Sequence, residues 1–135
     1  MMPARRSESL PVREDSDIFM VRRFVRECAA DLGFGAFDQT KLATAASELG
    51  RNMLVHGGGG TMLLETFVES DRRGLRLTFE DKGPGIPDIE KAMSDGFTTK
   101  GGLGLGLGGS KRLVNEFEVV SGVGEGTRVT VARWT

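Results

Sequence analysis

This chain of 135 residues has one cysteine, little net charge and few long apolar runs. The single cysteine, Cys28, excludes an internal disulfide and a metal cluster of cysteines alone, and it suits a reducing compartment. The 18 basic and 19 acidic side chains leave a formal net charge of -1, which favours binding neither to nucleic acid nor to an anionic membrane. No segment has the pattern of a secretion signal or a transmembrane span. We therefore expect a soluble protein of the cytoplasm.

The length leaves room for one domain with a modest core. A chain of 135 residues is near the commonest domain size, and the apolar share of 39% is that of a globular protein. We expect residues 1–6 to be flexible and residues 7–135 to fold as a single domain. Cys28 fits this core as a small apolar residue.

Two helices are predicted in the first half of the chain. The first should be capped by Ser16 or Asp17 and should stop at Gly33, which can take a left-handed conformation. The second should run from a cap near Asp38 to about Val55, before a run of glycines.

Alternating apolar residues predict several strands. Leu10 and Val12 favour an edge strand, and further strands are expected over residues 61–69, 75–80, 117–121 and 127–134, with turns at 70–74 and 122–126. A short helix should start at Asp88, and another should follow the later glycine run through Leu113 and Val114. This order predicts a two-layer α/β (α+β) sandwich, with helices on one face of a mixed, mainly antiparallel sheet.

Glu48 and Asn52 lie four residues apart in the second helix, so they share one face while the apolar stripe occupies the other. A carboxylate and an amide oxygen are hard ligands that Mg²⁺ accepts, with water and phosphates completing its shell. His56 continues the row one turn later, although a lone histidine more often caps a helix or lies on the surface. The alternative for the pair alone is a solvated helix face.

Asp81 follows an apolar strand and precedes Gly83 and Gly85. Its carboxylate would be held at the strand end, where it could accept a hydrogen bond from the exocyclic amine of adenine. The alternative is an ordinary Asp-x-Gly turn.

A dense glycine run over residues 101–109 suggests backbone shaped around phosphates. It contains the dinucleotide fingerprint spacing, but a polar segment ending in Lys100 precedes it where a buried strand would be needed. No P-loop pattern occurs in the chain. What remains is a loop that leads into a helix, whose free N–H groups can bind phosphates.

Together these motifs resemble the ATP-binding (GHKL, or Bergerat) fold shared by gyrase B, Hsp90-type chaperones, histidine kinases and MutL. The matching boxes are residues 48–56, 81–85, 102–106 and 126–127. Within that family the chain is most similar to the small serine/threonine kinases of bacterial anti-sigma switches, of the stressosome RsbT type. Four segments carry this closer likeness: residues 44–52, 83–89, 95–99 and 111–117.

The resemblance implies roles for individual residues. Glu48 would act as a base or water organiser, Asn52 would bind Mg²⁺, Asp81 would recognise adenine, and Thr127 would support adenine through its hydroxyl. Residues 96–107 would form the ATP lid. The implied ATP-binding residues are Asn52, Asp81, Gly83, Gly85, Ile86, Thr98, Thr99, Lys100, Gly101, Gly102, Leu103, Gly104, Leu105, Gly106, Leu107 and Thr127.

The resemblance also implies a function and its cofactors, ATP and Mg²⁺. The protein would phosphorylate a STAS-domain antagonist or scaffold protein in a partner-switching pathway that regulates a sigma factor. The alternative is an anti-sigma factor that sequesters a sigma subunit in a nucleotide-dependent way. A PP2C-type phosphatase is a further possible partner, and a homodimer stays open because a sheet edge and a helix face are exposed.

Overall fold

The fold is described by a computed structural model for residues 4–86 and 107–135. The helices and strands within these residues are β1 (Arg6–Val12), α1 (Asp15–Asp31), α2 (Ala36–Gly57), β2 (Gly60–Glu69), β3 (Arg72–Asp81), α3 (Leu107–Lys111), β4 (Glu116–Gly122) and β5 (Gly126–Trp134). The helix expected from Asp88 and the glycines 101–106 lie outside the described residues. None of the described helices combines the length and apolar character needed to cross a bilayer.

The five strands form one sheet in the order β1-β2-β3-β5-β4, and every neighbouring pair is antiparallel. In β3 the alternate residues Leu75, Leu77 and Phe79 are buried, because this face of the sheet packs against the helices. Leu10 of β1 pairs with Met62 of β2, which confirms the predicted edge strand. The two-layer α+β architecture expected from the sequence is confirmed.

The core lies between the sheet and the pair α1 and α2. Cys28 belongs to it with 1% of its surface exposed, so its prediction as a small core residue is confirmed. Burial raises the pKa of its thiol, since a thiolate would lose its hydration there. The thiol therefore stays protonated and acts as an apolar packing group.

The start of α1 differs from the prediction. The N-cap is Glu14, so a cap at Ser16 or Asp17 was wrong by two or three residues. Asp17 lies in the first turn, where its carboxylate accepts hydrogen bonds from the backbone N–H groups of Arg13 (2.9 Å) and Glu14 (3.2 Å). The predicted stop is confirmed, because Gly33 has φ = +89°.

The start of α2 and the end of α3 also differ from the prediction. Gly35, not Asp38, is the N-cap of α2, and that helix continues to Gly57 before the left-handed Gly58. The helix expected through Leu113 and Val114 ends at Lys111. A turn replaces its last residues, with the N–H of Leu113 donating to the carbonyl of Ser110 at 3.0 Å.

The hairpin between β2 and β3 is tighter than the expected turn over residues 70–74. Strand β3 already begins at Arg72, which pairs with Glu69. The guanidinium of Arg72 lies 4.6 Å from the centre of the Trp134 ring on β5. This contact comes from the far end of the chain and favours the extended conformation.

Arg133 of β5 links the chain after α3 to the first turn of α2. Its guanidinium donates to the carbonyl of Leu113 (3.1 Å) and to Asp38 Oδ1 (2.7 Å), and 17% of its side chain is exposed. The link fixes the segment through which the chain leaves α3. It also explains why Asp38 does not cap its own helix.

We expect Arg133→Met to lower the free energy of unfolding by about 1–3 kcal/mol, because it leaves Asp38 and the Leu113 carbonyl without their donor. Urea unfolding followed by circular dichroism measures this change. The matched control is Arg23→Met, which breaks the exposed pair with Glu27 and should cost less than about 0.5 kcal/mol. Equal losses in the two variants would show that Arg133 does not link the elements.

Candidate functional site

A cavity opens between α2 and the sheet, where β3 ends and β5 begins. Apolar side chains form much of its wall, and a few polar side chains and glycines face it. Its lining residues are Leu49, Asn52, Met53, His56, Gly57, Phe79, Asp81, Gly85, Ile86, Leu107, Thr127 and Val129. Four separate segments of the chain therefore meet at one site.

Asp81 is the last residue of β3 and lines the cavity. Its Oδ1 accepts a hydrogen bond from the N–H of Gly83 at 2.9 Å, so the Asp-x-Gly turn weighed from the sequence does form. An ionised carboxylate has about four acceptor positions, and the turn uses one of them. Asp81 can therefore hold its own loop and still accept a bond from a ligand amine.

Gly57, the last residue of α2, lies directly against the Asp81 carboxylate. A Cβ added at Gly57 would lie 2.5 Å from Asp81 Oδ2 and 2.8 Å from Oδ1. A Cβ added at Gly83 would in turn lie 2.6 Å from the Cα of Gly57. The two glycines let the helix end, the loop and the carboxylate approach each other at the cavity.

On the ATP-binding role that the resemblance implies, we expect Gly57→Ala to weaken ATP binding by at least about tenfold, because the new methyl group displaces the Asp81 carboxylate. Isothermal titration with ATP measures this loss. The control is Gly50→Ala in the same helix, whose added Cβ makes ordinary contacts of 3.8 Å with Ile18 and 3.9 Å with Phe79. Unchanged affinity in Gly57→Ala would mean that the position of Asp81 does not matter for the nucleotide.

Asn52 and His56 bring polar atoms without partners to the cavity. Asn52 Nδ2 and His56 Nε2 are both buried, and neither has a hydrogen-bond partner within the described residues. A buried donor or acceptor without a partner costs about 1–3 kcal/mol, so both atoms are candidates for hydrogen bonds to a ligand in the cavity. His56 was expected to cap the helix or lie on the surface, and that interpretation is corrected here.

Glu48 lies on α2 one turn before Asn52 and is half-buried, but it is outside the cavity lining. Leu49 and Met53, from the apolar stripe of the same helix, do line the cavity. The expected separation of a polar face from an apolar face is therefore wrong at this end of α2. The helix presents both kinds of side chain to one site.

Thr127 of β5 pairs with Asp81 of β3, so the two side chains lie next to each other on the same face of the sheet. The hydroxyl of Thr127 lies 2.8 Å from the hydroxyl of Ser121 on β4. Ser121 was not predicted as a site residue, although its position opposite Thr127 follows from the hairpin between β4 and β5.

Most predicted site residues in the described segments meet at this cavity. Gly85, Ile86 and Leu107 line it with Asn52, Asp81 and Thr127, while Gly83 adjoins it through its bond to Asp81. The remaining predicted residues lie outside the described part of the chain: Thr98, Thr99, Lys100, Gly101, Gly102, Leu103, Gly104, Leu105 and Gly106.

The apolar walls of the cavity were not predicted from the sequence. Phe79 stands two residues before Asp81, and Val129 stands two residues after Thr127. Since side chains two apart in a strand share a face, this spacing could have identified both. Apolar walls with acceptor oxygens at one end suit a flat base that carries an amine.

Comparisons with known proteins cover most of the chain. Residues 37–134 match the family described as histidine kinase-, DNA gyrase B- and HSP90-like ATPases. The chain is 48% identical over 118 residues to the serine/threonine-protein kinase RsbT of Bacillus subtilis (87% of this chain, 89% of the relative). It is 33% identical over 121 residues to the anti-sigma F factor of a Thermoanaerobacter species (84% and 82%).

Solved structures show the same fold. The RsbU and RsbW domains of a Mycobacterium tuberculosis protein align with a TM-score of 0.62 and 21% identity, covering 95% of this chain and 32% of that longer chain. The catalytic domain of the histidine kinase ThkA aligns with a TM-score of 0.52 and 17% identity, covering 95% of each chain.

Proposed function

The chain belongs to the histidine kinase-, DNA gyrase B- and HSP90-like ATPase family, and on that premise we propose that it is an ATP-dependent serine/threonine kinase of a bacterial partner-switching pathway. Its substrate is a STAS-domain antagonist or scaffold protein. The observation that carries the proposal is the cavity in which Asn52, Asp81 and Thr127 meet. The 48% identity to the kinase RsbT over most of both chains supports the choice of activity.

The adenine base lies between the apolar walls, with its amine donating to Asp81. Phe79 and Val129 belong to the sheet side of the cavity, and Leu49 and Met53 belong to α2. These side chains exclude water, which strengthens the polar bonds at the base. Thr127 supports the same edge of the base from the neighbouring strand.

Asn52 is the proposed contact to Mg²⁺. Its amide lines the cavity, and its oxygen is a ligand that Mg²⁺ accepts. No group of three or more histidine, cysteine, aspartate or glutamate side chains in residues 4–86 and 107–135 could hold a metal ion. Mg²⁺ held by Asn52 would neutralise charge on the phosphates of ATP.

Glu48 is the proposed catalytic residue. It is half-buried and lies one turn from Asn52, outside the lining of the cavity, and we propose that the hydroxyl of the partner protein reaches it there. The hydroxyl oxygen of a serine or threonine of that partner attacks the γ-phosphorus, and the bond to the β-phosphate oxygen breaks to release ADP. Glu48 orients the hydroxyl and accepts its proton. The predicted lid, residues 96–107, is proposed to hold the phosphates through backbone N–H groups.

Transfer of labelled phosphate tests the proposal. The full chain is incubated with γ-labelled ATP, Mg²⁺ and a purified STAS-domain protein encoded beside it. We expect the label on a serine or threonine of the STAS protein. ATP binding without any transfer to that protein would contradict the kinase assignment.

The second candidate is an anti-sigma factor, favoured by the 33% identity to the anti-sigma F factor. Binding to purified partners separates the two functions. A stable complex with a sigma factor in the presence of ATP favours the anti-sigma function. Binding to the STAS protein, or activation of a PP2C-type phosphatase by the free chain, favours the switch kinase. For either function we propose a cytoplasmic location, which suits a chain with one buried cysteine.

A further inference from the structure

Three short polar contacts converge on the hydroxyl oxygen of Ser121, the penultimate residue of β4. The backbone N–H of Ile86 lies 2.8 Å away, the carbonyl oxygen of Gly126 2.9 Å and the hydroxyl of Thr127 2.8 Å. Ile86 and Thr127 both line the cavity. Ser121 therefore connects two parts of the site without lining it.

Counting protons decides the direction of each bond. The N–H of Ile86 can only donate, the carbonyl of Gly126 can only accept, and the Ser121 hydroxyl has one proton. All three contacts are hydrogen bonds only when Ser121 donates to Gly126 and Thr127 donates to Ser121. If Ser121 donated to Thr127, its oxygen would face that of Gly126 at 2.9 Å with no proton between them.

This direction leaves Thr127 with lone pairs alone for the cavity. Asp81, its register partner on β3, also offers only acceptor oxygens. The end of the cavity that these two side chains form is therefore built to accept hydrogen bonds. A purine amine at C6 supplies N–H donors there, whereas a carbonyl at C6 would face the same oxygens without a proton.

We propose that Ser121 is a positioning residue that sets the base selectivity of the site, by fixing the Thr127 hydroxyl as an acceptor. The inference rests on the proposed function, since it requires the base to lie in this cavity. Ser121 also holds the loop that carries Gly85, where an added Cβ would lie 3.3 Å from its oxygen and φ is +82°. One side chain thus fixes the loop and the polarity of its neighbour together.

The test compares two nucleotides that differ at C6, ADP with an amine and inosine diphosphate with a carbonyl. We expect the full chain to bind ADP more tightly than inosine diphosphate. In Ser121→Ala the ratio of the two dissociation constants should fall about tenfold, because the Thr127 hydroxyl can then turn and donate. The separate variant Ser121→Thr keeps the hydroxyl and should retain the preference for ADP. Isothermal titration gives both dissociation constants, and circular dichroism checks that each variant is folded.

Two further variants keep the test decisive. Ser121→Cys has nearly the same shape with a weak acceptor, so it should lose the preference even if Ser121→Ala does not fold. Thr130→Ala changes a residue of β5 whose side chain lies on the other face of the sheet from Thr127, and it should leave the preference unchanged.

An equal loss of affinity for both nucleotides in the Ser121 variants would overturn the inference, because a purely structural role weakens both alike. Binding of neither nucleotide by the unaltered chain would instead overturn the proposed function, and the inference with it.

Discussion

Replacing Glu48 with alanine should lower the rate of phosphoryl transfer by about 10²–10⁴-fold while leaving the dissociation constant for ATP within about twofold of its starting value. The reason for this split lies in the position of the residue. Glu48 is one turn from Asn52 on α2 but outside the residues that line the cavity. Its loss removes a proton acceptor and leaves the base contacts in place.

Single-turnover transfer and equilibrium titration on the same preparation measure the two quantities. The matched control is Glu118→Ala, which removes an exposed carboxylate from β4 and should change neither. If Glu48→Ala lost ATP affinity and transfer together, Glu48 would belong to the binding site. Unchanged transfer would remove it from the mechanism.

Replacing Asn52 with alanine should remove the gain in ATP affinity that Mg²⁺ provides, a loss of at least about tenfold. The amide lines the cavity, and its Nδ2 has no partner within the described residues, so the substitution removes no hydrogen bond from that atom to them. Affinity measured without Mg²⁺ should change much less, because Asp81 and the apolar walls remain.

Titrations with ATP in the presence of Mg²⁺ and in the presence of a chelator give the two affinities. Asn115→Ala serves as the control. Asn115 Oδ1 accepts a hydrogen bond from the backbone N–H of Trp134 at 2.7 Å, and Asn115 does not line the cavity. A Mg²⁺-dependent gain that survives in Asn52→Ala would refute the metal assignment.

The sheet and the order of the site residues follow from short-range patterns. Alternation along β3 places Phe79 and Asp81 on one face, and the same rule places Thr127 and Val129 on one face of β5. Each pattern extends over a few residues, so it does not depend on contacts with distant parts of the chain. These patterns were sufficient to predict the strands and the acidic residue at the strand end.

Features that depend on distant contacts could not be predicted in this way. Asp38 is a residue type that often caps helices, but its carboxylate instead accepts a hydrogen bond from Arg133 of the last strand. His56 fits a surface position by local rules, yet α2 continues far enough to bring it into the cavity. Ser121 gains its three partners only after the final hairpin and the loop after β3 have come together.

The central claim, that the cavity at the end of β3 binds ATP, is tested most directly by titrating ATP and Mg²⁺ into the full chain and into Asp81→Asn. The account predicts saturable binding by the full chain and a loss of at least about tenfold in the variant. The substitution turns one carboxylate oxygen into an NH₂ group, which only donates, while the remaining oxygen is held by the Gly83 N–H. The adenine amine then meets a donor where an acceptor stood. Equal affinity in the two proteins, or no binding by the full chain, would contradict the account.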